Sequence, residues 1–205
     1  MMDFLPIIHK VNSINKLKTI PTDYGVEIDV RFENKNLYLS HDPIINIKST
    51  CMLQDFLSEF NHKFIVANIK DAGIETVVIN AIKETTENFF LLDFEIPFLF
   101  NKNKDIKKYL STRYSLFENI TQDSLTADYV EWLWVDSYDE FPINKSNMNT
   151  LPILKKCLVS PERWGRKEDI TKIANFMLLN NVSFELIMSD INMVNVWKKA
   201  LKSGN

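Results

Sequence analysis

Glycine is scarce in this sequence, since 205 residues contain only four glycines. The GxGxxG fingerprint of dinucleotide-binding proteins and the Walker loop of nucleoside triphosphatases are both absent. We therefore do not expect nucleotide binding by either of these two routes.

Cysteine is rarer still, with two residues in the chain. Cys51 and Cys157 are far apart, and neither belongs to a CxxC or Cys/His spacing. A disulfide framework and a zinc site are therefore not expected, and both thiols are predicted to be reduced.

The chain also lacks a basic excess and a long apolar run. Its formal net charge is -3 and its Lys and Arg residues are scattered, so nucleic acid is not an expected partner. No run is long enough to span a bilayer, and the start, MMDFLPIIHKVNS, reads as a first strand and not as a secretory signal. These features predict a soluble, cytoplasmic protein with a single domain over 1–205.

Short β-rich apolar runs alternate with helix-compatible stretches along the whole chain. The runs cover residues 4–9, 25–32, 63–69, 88–94, 108–114, 130–136, 155–160 and 184–189. Repeated strand-helix units imply a parallel sheet with right-handed crossovers. Eight of them predict a compact α/β fold, the (β/α)8 TIM barrel, and an open doubly wound sheet is the alternative.

The second predicted strand carries two carboxylates. Glu27 and Asp29 alternate with Val26, Ile28 and Val30, so both carboxylates lie on one face of the strand. Two neighbouring anions repel each other unless a cation compensates them, and a hard divalent ion, Mg²⁺ or Ca²⁺, is the expected partner. An exposed hairpin with polar outward positions is the alternative interpretation.

Polar residues also follow the other predicted strands, at the ends where a barrel places its chemistry. They are His9, His41, Asn68, Lys70, Asp93, Arg113, Asp136, Ser160, Glu162 and Asp190. Carboxylates suit a metal, Lys70 and Arg113 suit an anion, and histidines suit proton transfer near neutral pH. Together they are the groups needed to cleave a phosphate ester. Strand-end charges also form structural ion pairs, which is the alternative interpretation of Arg113, Asp136 and Glu162.

Three motifs in the first third of the chain resemble those of a known family. IIHK (7–10), VEIDVR (26–31) and LSHDP (39–43) are similar to the His, Glu-x-Asp and His-Asp motifs of glycerophosphodiester phosphodiesterases. These enzymes belong to the superfamily of phosphatidylinositol-specific phospholipase C-like barrels. FIVANIK (64–70) resembles the family's third-strand motif, and CLVSPERWGR (157–166) resembles a late barrel segment of some members.

The resemblance implies a role for each matching residue. Glu27 and Asp29 would bind the divalent ion, His9 and His41 would act as general base and acid, and Lys70 would contact the phosphate. It also implies a phosphodiester substrate and a place in lipid metabolism. Hydrolysis and cyclisation by a neighbouring hydroxyl of the substrate both stay open.

The chain departs from the family pattern at two places. The first histidine is followed by Lys10-Val11 instead of Arg-Gly, and Asn68 replaces the Glu that normally stands two residues before the lysine. A neutral amide oxygen can still ligate Mg²⁺ or Ca²⁺ but brings no charge, so metal affinity should fall unless another acid such as Asp93 substitutes.

Two functions from different classes are therefore predicted. The first is a metal-dependent phosphodiesterase for a small, soluble glycerophosphodiester or a sugar or polyol phosphodiester, with Asn68 as third metal ligand. The second is a degenerate barrel that binds a phosphorylated ligand without turnover.

Trp164 is the candidate for stacking on a substrate, whereas Trp132 and Trp134 are expected to pack in the core. The Asn-, Lys- and Ile-rich composition suggests an AT-rich bacterial genome.

Overall fold

A computed structural model describes residues 2–99, 104–121 and 128–202. Its strands are β1 (Leu5–Ile8), β2 (Gly25–Glu33), β3 (Asn36–Leu39), β4 (Cys51–Met52), β5 (Ile65–Ile69), β6 (Phe89–Leu92), β7 (Ser111–Tyr114), β8 (Trp132–Val135), β9 (Lys155–Val159) and β10 (Leu186–Ser189). Its α-helices are α1 (Ile14–Leu17), α2 (Leu53–Ser58), α3 (Glu75–Lys83), α4 (Ile96–Leu99), α5 (Asp169–Asn180) and α6 (Val194–Ala200). Among the described residues no helix is both long and apolar enough to cross a membrane.

The chain divides into two compact units. The N-terminal unit is Ile7–Leu110, and the C-terminal unit combines the described residues of Met1–Pro6 and Ser111–Asn205. Strand β1 contributes its first two residues to the C-terminal unit and its last two to the N-terminal unit. The interpretation of 1–205 as a single domain stays a prediction.

Strand β2 is the centre of the N-terminal unit. It runs parallel to β1, with Ile7 opposite Gly25, and parallel to β5, which in turn runs parallel to β6. Its far end forms an antiparallel hairpin with β3 through Asn34 and Lys35, both in the left-handed conformation, with φ of 47° and 65°. Two consecutive left-handed residues define the tight turn whose twist suits a two-residue hairpin.

The C-terminal unit is a second run of parallel strands, in which β7, β8, β9 and β10 pair in sequence order. The backbone N–H of Leu5 donates to the Glu185 carbonyl at 2.9 Å, which attaches the beginning of β1 to the chain just before β10. Helices α5 and α6 contribute to the hydrophobic core with Ile170, Met177 and the fully buried Trp197. The core of this unit therefore lies between the sheet and two amphipathic helices.

All eight predicted strand segments contain a strand, so the α/β class with parallel strands is confirmed. Closure of the strands into a barrel stays a prediction. Both cysteines are free thiols, and Trp132 and Trp134 are buried as expected for core residues.

Candidate active site

The two carboxylates of β2 are buried. Glu27 is 2% exposed and Asp29 is 1% exposed, while Val26, Ile28 and Val30 on the opposite face are fully buried. The alternative of an exposed hairpin is therefore wrong for these two positions, because both faces of this part of β2 are covered. Burying two neighbouring carboxylates is costly unless other groups satisfy them.

Glu27 is satisfied by the loop that follows β1. Lys10 has a left-handed backbone, with φ of 55°, which directs its N–H to Glu27 Oε2 at 2.6 Å. The N–H of Val11 donates to the Glu27 carbonyl at 2.7 Å. The His9 ring lies beside the same carboxylate, with Nε2 3.8 Å from Oε2. The left-handed conformation costs a residue other than glycine about 1 kcal/mol or more. The hydrogen bond from the Lys10 N–H to Glu27 offsets this backbone strain.

Asp29 is held by Asn12, which sequence reasoning missed. The Asn12 amide donates through Nδ2 to Asp29 Oδ2 at 2.7 Å, and its Oδ1 accepts from the Asp29 backbone N–H at 2.8 Å. This two-point contact fixes both the carboxylate and the strand that carries it. Only the fold brings Asn12 to Asp29, since the two are 17 positions apart and no motif links them.

Lys70 is the cation of the cluster. Its Nζ lies 3.1 Å from Asp29 Oδ1, and its side chain is 17% exposed. The contact is an ion pair without hydrogen-bond alignment, so Oδ1 has no hydrogen-bond donor among the described residues. Lys70 thus offsets part of the negative charge and keeps some access to solvent.

Burial and, to a smaller extent, the neighbouring charge of Asp29 raise the pKa of Glu27 to about 7. Hydrogen bonds from the Lys10 N–H and the Asn68 side chain, together with the charge of Lys70, act in the opposite direction. The surrounding cationic and hydrogen-bonding groups therefore compensate the Glu27 carboxylate only in part. A bound cation would complete that compensation.

Asn68 completes a set of three oxygen-bearing side chains. It stands directly opposite Asp29 in the β2–β5 ladder, and its Oδ1 is buried without a hydrogen-bond donor among the described residues. Within those residues no group of three or more His, Cys, Asp or Glu could hold a metal, so a third ligand beside Glu27 and Asp29 must be of another type. Two carboxylates and an amide oxygen are hard donors that fit Mg²⁺ or Ca²⁺, with remaining positions left for water or phosphate oxygens.

His41 lies in the loop after β3 and is half-exposed. Its Nδ1 is 2.9 Å from Asp42 Oδ1, and this hydrogen bond lowers the pKa of Asp42. The preceding residue, Ser40, donates its N–H to the Asp29 carbonyl at 3.0 Å. The loops that carry His9 and His41 are therefore both attached to β2, the strand with the two carboxylates.

The other predicted residues are divided between the two compact units. Arg113, Asp136, Glu162 and Trp164 belong to the C-terminal unit, and Asp93 follows β6 on the surface with a left-handed backbone, φ 60°. Asp93 belongs to the same unit as Glu27, but it is not part of a described metal-ligating cluster.

Asp136 organises the polar cluster of the C-terminal unit. Its Oδ2 accepts from Arg113 Nη1 at 3.0 Å and from Trp134 Nε1 at 3.3 Å, and its Oδ1 accepts from Trp164 Nε1 at 3.0 Å. Arg113 also donates to the Tyr138 hydroxyl at 2.8 Å. Burial raises the pKa of Asp136 despite these contacts. Arg113 and Asp136 thus form a structural ion pair. A contact between Arg113 and a phosphate stays a prediction.

Glu162 and Trp164 follow β9 in a short 3₁₀ turn, Pro161–Trp164. Glu162 accepts from the Ser160 hydroxyl and from the Asp190 backbone N–H, and burial raises its pKa. The Trp164 ring is 45% exposed and its centroid lies 4.8 Å from that of Tyr138. An exposed indole with its N–H fixed by Asp136 is compatible with the predicted stacking role.

Comparison with solved structures finds a likeness in fold. The crystal structure of a glycerophosphodiester phosphodiesterase from Agrobacterium tumefaciens strain C58 matches with a TM-score of 0.61 and 10% sequence identity. The match covers 96% of this chain and 100% of that chain. At this identity the likeness concerns the fold alone. No family model and no curated protein matches the sequence.

Proposed function

We propose that this chain is a metal-dependent phosphodiesterase that cleaves a small, soluble glycerophosphodiester or a related sugar or polyol phosphodiester. The single observation that carries the proposal is the buried cluster of Glu27 and Asp29 beside Lys70, in which one oxygen atom of Asp29 and that of the Asn68 amide accept no hydrogen bond from the described residues. The fold likeness to a glycerophosphodiester phosphodiesterase supports the same reaction class.

Glu27, Asp29 and Asn68 would hold the divalent ion, Mg²⁺ or Ca²⁺. When bound, the ion supplies positive charge that stabilises the charge developing on phosphoryl oxygens. Asn12 keeps Asp29 in place for this role, and the Lys10 N–H does the same for Glu27. Because the amide of Asn68 brings no charge, we expect metal affinity to be weaker than that of a site with three carboxylates.

Lys70 would bind the phosphate. Its ammonium lies 3.1 Å from Asp29 Oδ1, and its side chain is 17% exposed, which leaves it partly accessible to a phosphoryl oxygen. An ammonium is a compact charge with three donors, which suits a phosphate oxygen whose position shifts during the reaction.

His9 and His41 would carry out the two proton transfers of the reaction. One takes the proton from the attacking water or substrate hydroxyl, and the other gives a proton to the leaving alkoxide. The Asp42 carboxylate fixes Nδ1 of His41, so Nε2 is the nitrogen left for this transfer. Water as the attacking group gives a phosphomonoester, and a neighbouring hydroxyl of the substrate gives a cyclic phosphate.

A barrel that binds a phosphorylated ligand without turnover is the second candidate. Two observations favour it: a neutral Asn68 in the cluster and the Lys70 ammonium 3.1 Å from Asp29, where it already compensates one carboxylate. In that case Lys70 and the cluster would retain phosphate affinity, while His41→Ala would change little.

Phosphorus NMR distinguishes these two functions. Purified protein is incubated with a panel of glycerophosphodiesters and sugar phosphodiesters in Mg²⁺ or Ca²⁺, with EDTA and His41→Ala as controls. We expect a new metal-dependent resonance, reduced by about two to four orders of magnitude in His41→Ala, whose shift separates cyclic phosphate from phosphomonoester. A signal that survives EDTA or His41→Ala would contradict the proposed mechanism, and ligand binding without any new resonance would favour the second candidate.

A further inference from the structure

Arg31 is the third polar residue on the same face of β2 as Glu27 and Asp29. Its guanidinium contacts two other segments of the N-terminal unit: the His41 loop (residues 40–46) and the Lys70 turn (residues 70–74). None of the motif assignments gives Arg31 a role, and its contacts link the segments that carry two of the proposed functional residues.

The contact with the Lys70 turn is made through Asp71. Arg31 Nη1 donates to Asp71 Oδ1 at 2.8 Å, and the other carboxylate oxygen, Oδ2, accepts from the Phe32 backbone N–H at 2.8 Å. Nη1 also lies 3.5 Å from the Lys70 carbonyl. Asp71 is therefore fixed by two consecutive residues of β2, and Lys70 is its immediate neighbour.

The contact with the His41 loop is made through the backbone. Arg31 Nη2 donates to the His41 carbonyl at 2.9 Å. The His41 side chain is 46% exposed, so packing against neighbours contributes little to its position. The Arg31 side chain is itself only 17% exposed, and its hydrogen bond to the His41 carbonyl lies at the surface.

We propose that Arg31 is a positioning residue that, with Asp71, holds the His41 loop and the Lys70 turn at a fixed separation. This inference rests on the proposed function, because Arg31 would align His41, a proton-transfer residue, with Lys70, a phosphate-binding residue. A planar guanidinium can donate in two directions at once, and the point charge of a lysine cannot reproduce that geometry.

Arg31→Met tests the proposal, with Arg31→Lys and Asp71→Ala as companion variants. Lys18→Met is the matched control, because it removes the cation of the exposed Lys18–Glu59 ion pair in the same unit. A misplacement of about 1 Å costs on the order of a hundredfold in rate. We therefore expect kcat of Arg31→Met to fall by about ten- to a hundredfold with KM changed far less, and Arg31→Lys not to restore it.

The contacts of Arg31 with Asp71 and with the His41 carbonyl should act together. In the double variant Arg31→Met with Asp71→Ala, kcat should be no lower than in Arg31→Met alone, because either change releases the connection between the loop and the turn. Additive losses in the double variant would contradict this, as would a kcat equal to that of Lys18→Met.

Backbone ¹⁵N relaxation keeps the test independent of turnover. The heteronuclear NOE of the His41 and Asp42 amides should drop in Arg31→Met toward that of a mobile loop, with no change at His62, whose ring contacts the Ile20 carbonyl. Unchanged NOE values at His41 would overturn the positioning role whether or not the protein is an enzyme. If the wild type shows no turnover but Arg31→Met still lowers the NOE of the His41 loop, the proposed function is refuted. Arg31 then remains the residue that orders the His41 loop.

Discussion

Asn68 is the residue on which the strength of the proposed metal site would depend. It lies opposite Asp29 in the β2–β5 ladder. It offers an amide oxygen at the position where glycerophosphodiester phosphodiesterases, which the sequence resembles, have a carboxylate. The amide avoids a third buried negative charge, so the fold without metal is less strained than it would be with three acids. The expected consequence is a lower affinity of the proposed site for a divalent cation.

Asn68→Glu should therefore raise Mg²⁺ affinity and lower stability in metal-free buffer. We expect the dissociation constant to fall by about tenfold or more, because a charged ligand replaces a neutral one, while Tm in EDTA drops through repulsion from Glu27 and Asp29. Titration calorimetry and thermal unfolding measure the two effects. Asn61→Glu, at an exposed position of the same unit, is the control and should change neither. Equal Mg²⁺ affinity in wild type and Asn68→Glu would contradict the assignment of Asn68 as a ligand.

Asp136 predicts a pH dependence of stability. Its folded-state pKa is raised by burial, so between the ordinary value of about 4 and the raised value the native state binds more protons than the unfolded chain. The free energy of unfolding therefore decreases as pH rises through that window.

Asp136→Asn removes this contribution, so its free energy of unfolding should fall less steeply with rising pH than that of the wild type. Urea unfolding from pH 4 upward measures the difference in slope, and the slope is the informative quantity because the substitution also alters the contacts of Arg113. Asp139→Asn, at a nearby exposed position, should keep the wild-type slope. Parallel curves for wild type and Asp136→Asn would refute the argument.

Strand β2 is the element that positions the proposed site, and Gly25 allows it to pack between its neighbours. A Cβ at this position would lie 2.4 Å from Ile7 Cδ1 and 2.9 Å from the Cβ and carbonyl oxygen of Phe64. Ile7 and Phe64 belong to β1 and to the segment leading into β5, the two sides on which β2 makes its parallel pairs. The close approach of three chain segments explains why a glycine begins this strand.

Gly25→Ala should destabilise the protein by about 1–3 kcal/mol through overpacking. Ile7→Val removes the atom that the new methyl group would meet first, so the double variant should recover part of the loss, and Phe64 prevents full recovery. Chemical denaturation of the two single variants and the double variant measures the coupling. A double variant whose loss equals the sum of the single losses would show that the Ile7 contact is not the cause.

The sequence predicted β2 and its carboxylate face because both depend on local alternation. Glu27 and Asp29 are two residues apart in an apolar run, and a strand puts such residues on one face whatever else the chain does. Asn12 and Arg31 were missed because their roles come from long-range contacts. Asn12 acts on a residue 17 positions away, and Arg31 acts on Asp71, 40 positions away.

For the molecule as a whole, periodicity predicted all eight parallel strand segments but not the division of the chain into two compact units. Strand-end position groups Arg113 with Lys70 as candidate phosphate ligands, and the two residues belong to different units. In its own unit Arg113 pairs with Asp136 and Tyr138. Strand-end position indicates chemistry in a barrel, but it does not distinguish a catalytic charge from one engaged in a structural pair.

We propose above all that phosphodiester cleavage requires a divalent cation held by the Glu27 and Asp29 carboxylates. Its most direct test is the initial rate of cleavage against free Mg²⁺ concentration, for metal-stripped wild type and Asp29→Asn, with the best phosphodiester of the NMR panel. We expect no cleavage without metal, saturation with Mg²⁺ in the wild type, and a curve shifted to at least tenfold higher Mg²⁺, about 1.4 kcal/mol, in Asp29→Asn. A rate independent of Mg²⁺, or identical curves for the two proteins, would contradict it.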